Sequence, residues 1–138
     1  MSYRLPYGRE VPPSTVDNHH AIFYRRWYKT PHEKLYRGLA GLVLPIHRPI
    51  HNQLHAEVPP PPKPSREFML QIVDHSQDID DSRPYQRFLE IVKFVGDVAN
   101  TAWSDERVDE ASRLYENLNY QDNYLKQGVL TRVDDERA

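Results

Sequence analysis

Two periodicities divide the chain. Beyond residue 64, apolar positions recur every three or four residues. Phe68, Met69, Ile72 and Val73 follow Ser65, whose hydroxyl suits an N-cap, and predict a capped amphipathic helix. Residues 85–102 set Phe88, Leu89, Ile91, Val92, Val95, Val98 and Ala99 on one broad apolar face, which predicts a second helix. The polar stretch 77–84 (QDIDDSRP) separates the two. Ser104-Asp105-Glu106 opens a third helix, with Val108, Ala111, Leu114, Tyr115 and Leu118 at helical spacing. Its end is left open by the polar and aromatic NYQDNYLKQG. Residues 131–138 (TRVDDERA) read as a solvated tail.

The N-terminal half lacks this rhythm. Residues 1–16 hold Pro6, Pro12 and Pro13 and read as an extended arm. Residues 17–30 are rich in aromatics and fit strand structure around a turn. Residues 31–38 fit a helical turn or a loop ending at Gly38. The apolar run 39–45 (LAGLVLP) predicts a buried strand. Pro49 suits the first turn of a helix over roughly 49–57, where a missing N–H leaves nothing unpaired. Residues 58–64 follow as a proline-rich spacer in polyproline II form, rising about 3.1 Å per residue. The same prolines would also fit an aromatic-lined groove on another protein.

Composition narrows the class. Hydrophobic residues make up 38% of the 138, below the usual share of roughly 45–50%. Part of the chain is therefore expected to be extended or to lie on a partner. No run of about 18 apolar residues exists, so no membrane span is predicted. The first residues, MSYRLPYGREVPP, contain no apolar signal segment. There are no cysteines, which excludes disulfides and thiolate zinc sites and suits a cytoplasmic protein. The net charge of −2 conceals an asymmetry. Residues 1–63 hold nine Lys/Arg against four Asp/Glu, and residues 64–138 hold nine against sixteen. The basic half suits a polyanionic ligand.

Six of the seven histidines fall between His19 and His55. Four form a pattern, His19-His20 followed by His51-x3-His55. Residues four apart share a helix face, so His51 and His55 can chelate one ion. Strand neighbours point to opposite sides, which separates His19 from His20. His32 and His47 read as surface or packing residues, and His75 as chemically idle. The run Phe23-Tyr24-Arg25-Arg26-Trp27-Tyr28 reads first as core and second as a platform for bases. No Gly-rich phosphate loop, nucleophile elbow or HExxH motif is present. The acidic cluster Asp78, Asp80 and Asp81 reads as solvated.

Asp17-Asn18-His19-His20-Ala21-Ile22, with Pro45, Ile46, His51 and His55 downstream, resembles the HNH nucleases, the ββα-metal fingers. Within that family the paired histidines are most similar to the colicin-type pattern. The resemblance covers residues 17–57. It implies a ββα finger at 17–57; with the C-terminal unit of two or three helices that the apolar periodicity predicts over 65–130, the expected fold is α+β. The resemblance also implies a divalent ion (Mg, Zn or Ni) held by His19, His51 and His55, with His20 as general base. Arg25, Arg26 and Arg37 would then contact nucleic-acid phosphates, making the chain a metal-dependent endonuclease. The chain departs from the family where Leu42 stands near the place of its central Asn, where His47 and Ile50 stand for the two cysteines that often hold a structural zinc, and in its longer insert 31–41. The competing expectation is a non-catalytic interaction or structural protein, for example a phage-encoded assembly or regulatory factor. In that case the finger is a scaffold and the helices bind a protein partner or a second copy.

Overall fold

The computed structural model describes residues 2–29, 31, 41–60, 63–101 and 105–133. The fold is α+β: small antiparallel sheets and, among the described residues, four helices. His32, Arg37 and most of the 31–41 insert lie outside the described residues.

Strand β3 (Val16–His20) pairs antiparallel with β4 (Val43–His47), with His19 opposite Leu44 and His20 opposite Val43. Residues 41–42 form a turn, and among the described residues the predicted apolar strand begins at Val43 and runs on through Pro45 to His47. Proline is tolerated there because β4 pairs through β3 on one side, and the Pro45 carbonyl accepts from the Leu130 N–H at 2.9 Å. Pleating puts Leu44 and Ile46, both fully buried, on the same face as Asp17 and His19. Helix α1 (Arg48–Glu57) follows β4 directly, with Pro49 in its first turn. A ββα unit therefore spans 16–57.

The helices beyond it follow the apolar periodicity. Helix α2 (Arg66–Gln77) is capped by Ser65, whose hydroxyl accepts from the Phe68 N–H at 3.3 Å. Helix α3 (Pro84–Thr101) and helix α4 (Asp105–Gly128) form the long antiparallel pair. Tertiary packing carries α4 ten residues beyond its last strongly periodic position, Leu118, because Leu125 returns to the core.

The two halves share one core. Ile22, Phe23, Leu44 and Leu54 belong to the same buried cluster as Phe68, Phe88, Ile91, Leu114 and Leu118. The prolines do not hold the halves apart. The Asn117 amide donates to the Pro59 carbonyl at 3.0 Å, and the Ser65 N–H donates to Glu110 at 2.6 Å. Helix α4 thus grips the linking segment from both ends.

Two terminal expectations are corrected. The arm is a hairpin of β1 (Tyr3–Arg4) and β2 (Glu10–Val11), turning at Gly8 with φ +94°. Residues 131–132 are no tail: β5 (Thr131–Arg132) pairs with β1, giving the order β2-β1-β5. Val133 is buried and donates its N–H to the Ser2 carbonyl. Two-residue strands are too short to show an alternating pattern, so pairing alone reveals them.

Candidate metal centre

Three imidazoles meet between β3 and α1. His51 and His55 lie one turn apart on α1, with ring centroids 4.5 Å apart. His19 reaches them from the inner face of β3, at 5.1 Å from His51 and 5.4 Å from His55. One ligand nitrogen from each ring can be chosen so that all lie within 4.8 Å of one another. The three are close enough to bind one metal ion.

The surrounding bonds prepare those nitrogens. The Nδ1–H of His51 donates to Asp17 Oδ2 at 2.9 Å, and Arg48 Nε donates to Asp17 Oδ1 at 3.0 Å. The His51 bond holds the Asp17 carboxyl below its ordinary pKa; burial opposes it less strongly, and Arg48 adds to the lowering. Asp17 is therefore an anion that fixes the His51 tautomer and leaves Nε2 with its lone pair outward. His51 Nε2 and His55 Nε2 stand 2.9 Å apart. Two nitrogens bound to one ion at about 2.1 Å lie about 3.0 Å apart at a right angle and about 3.4 Å apart at the tetrahedral angle, so the pair is close enough to share a cation.

His19 is only 3% exposed, and its Nε2 lies 2.7 Å from Gln121 Oε1. Burial lowers its pKa to about 4, partly opposed by the Gln121 bond and reinforced by the neighbouring histidines. His55 is also lowered, by burial and then by His51. Both stay neutral near pH 7, as ligands must be.

His20 takes no part in the triad. It lies with His51 and His55 along an open cleft of about 980 Å³ that also takes in Asn18, Arg25, Arg26 and Lys29. Arg25 and Arg26 are exposed. The Arg26 guanidinium lies 4.5 Å over the Tyr24 ring, while Phe23, Trp27 and Tyr28 are buried. The aromatic run is thus mostly core, with its two arginines at the cleft. Leu42 is fully buried, its carbonyl accepting from the Ala21 N–H at 3.0 Å. His47 is half-buried at the start of α1, and His75 stacks on Phe94 at 4.0 Å.

No protein-family model, curated protein or solved structure matches the chain.

Asp17, Arg48, Asn117 and Gln121 also belong to the site, although the histidine spacing does not mark them. Asp17 could have been found, because it lies two residues before His19 and so on its strand face. Asn117 and Gln121 also left a trace. They interrupt the buried stripe formed by Leu114, Leu118 and Leu125, where polar side chains require partners.

Proposed function

We propose that the chain is an HNH-like, metal-dependent nucleic-acid phosphodiesterase acting as an endonuclease. One observation carries this reading: His20 lines the same cleft as the ligand histidines His51 and His55, and Arg25 and Arg26 line it too. The proposed substrate is therefore a polyanion lying along residues 17–57.

The roles follow from the chemistry. His20 accepts a proton from the attacking water as its oxygen bonds to phosphorus and the P–O bond to the leaving oxygen breaks. Arg25 and Arg26 hold neighbouring phosphates by charge-assisted hydrogen bonds. His19, His51 and His55 hold the ion, with Asp17 behind His51. When bound, a divalent ion supplies stabilisation of the charge on the phosphoryl and leaving oxygens. Three imidazole ligands favour a transition ion such as Zn or Ni over Mg, which prefers oxygen donors. The nearby Asp17 carboxylate is committed to His51 and Arg48. The proposed setting is cytoplasmic. Among the described residues no helix is long and apolar enough to cross a membrane.

Supercoiled plasmid incubated with the protein and Zn, Ni, Mn or Mg tests the reading. Wild type should nick or linearise the plasmid with at least one ion, and His20→Ala should not. No cleavage with any ion refutes the enzyme.

Leu42, buried where the family's central Asn would orient the base, favours a second reading. The finger would then be a metal-held scaffold for a protein partner or for self-association through the helices. That reading predicts an ion that raises thermal stability without any cleavage.

A further inference from the structure

Helix α4 lies outside the ββα unit, yet one of its side chains reaches a ligand. We infer that Gln121 is a positioning residue that selects the metal-binding tautomer of His19, an inference that rests on the three-histidine site proposed above.

The argument is one of hydrogen-bond accounting. An amide side chain has a donor end and an acceptor end, and its orientation follows from its partners. Gln121 Nε2 faces two acceptors, the Ala21 carbonyl at 2.9 Å and Asn117 Oδ1 at 2.7 Å. Asn117 is itself fixed, because its Nδ2 donates to the Pro59 carbonyl at 3.0 Å. Both ends of both amides are thereby determined. Gln121 Oε1 faces His19 Nε2 at 2.7 Å, and this oxygen can only accept. His19 must carry its proton on Nε2, so Nδ1 keeps its lone pair. Nδ1 is then the nitrogen His19 offers to an ion.

Gln121 and Asn117 are 3% and 8% exposed, so water does not substitute readily for either bond. The chain of contacts from Pro59 through Asn117 and Gln121 to His19 crosses from the linking segment to β3. The ligand set is therefore complete only when α4 is docked. His51 receives the equivalent service from Asp17 within the ββα unit, whereas His19 depends on a residue 102 positions away.

Two measurements test this. Long-range proton–nitrogen correlation spectra of the metal-free wild type report which His19 nitrogen is protonated. The expected result is Nε2–H, and Nδ1–H overturns the inference without any variant. Zn titrations then compare wild type, His51→Ala, Gln121→Leu and Gln121→Glu. Gln121→Leu removes the acceptor and should weaken Zn binding roughly 10- to 100-fold. Gln121→Glu keeps an oxygen toward His19 but loses both donors. It should bind Zn within a few-fold of wild type although its metal-free form melts earlier, which separates positioning from general stability. If wild type takes up no Zn, the metal site falls and this role falls with it. If wild type binds, His51→Ala does not, and Gln121→Leu matches wild type, the site stands and the role of Gln121 alone is refuted.

Discussion

At the scale of single residues, burial and hydrogen bonding decide which histidines can act. His19 titrates near 4 in the folded chain, chiefly because burial disfavours its charged form, against about 6.5 when unfolded. Between those values the unfolded state binds the extra proton. The contribution of His19 to stability is therefore complete above pH 6.5 and is lost as the pH falls toward 4. Up to about 3 kcal/mol is involved. Urea denaturation of chelator-treated protein should show stability rising from pH 4 to 6.5, and His19→Gln should flatten that rise. An unchanged slope in the variant would rule out His19 as its source. Asp17 offers a second residue-level prediction. Asp17→Asn removes the anion that orients His51, and Zn affinity should drop roughly 10- to 100-fold. Arg48→Ala leaves the His51 bond in place, so its effect should be the smaller of the two.

At the scale of elements, the helices were legible in the sequence and the pairings were not. Ser65 and the Phe68-Met69-Ile72-Val73 spacing mark α2, because capping and amphipathicity are local signals. Pro49 marks α1 for the same reason. The strand at 131–132 depends on a partner more than 100 residues away, Arg132 with Tyr3, and the hairpin at 3–11 is built of two-residue strands too short to alternate, so no local pattern encodes either. The histidine spacing exposed His51 and His55, whose register is helical. It could not expose Gln121, whose contact with His19 exists only after α4 packs. Close approaches fix that packing. A Cβ at Gly128 would fall 2.6 Å from Ile50 Cγ2, and Ile50 adjoins His51. Gly128→Ala should therefore separate α4 from α1 and cost about 1–3 kcal/mol, with weaker Zn binding. Chemical denaturation and a Zn titration read both effects, and an unaltered midpoint would refute the close contact. Gly41, with φ +90°, is constrained twice over, since a Cβ there would also fall 2.8 Å from Arg87 Cβ.

At the scale of the whole molecule, the ββα unit and the helices share one core, so an ion bound at the three histidines would be coupled to folding of the whole chain. An ion that binds only the folded chain stabilises it by mass action. Saturating Zn should raise the melting temperature of wild type and leave His51→Ala/His55→Ala unmoved. The basic surplus of residues 1–63 fits a polyanion along the cleft, and cleavage or binding should weaken with added salt. Beneath nuclease and scaffold alike lies the claim that His19, His51 and His55 form one metal site. Calorimetric titration of the purified, chelator-stripped chain with Zn measures that directly. One ion should bind per wild-type chain, and none at the same site in His51→Ala/His55→Ala. Absence of binding by wild type, or equal uptake by the double variant, would contradict it.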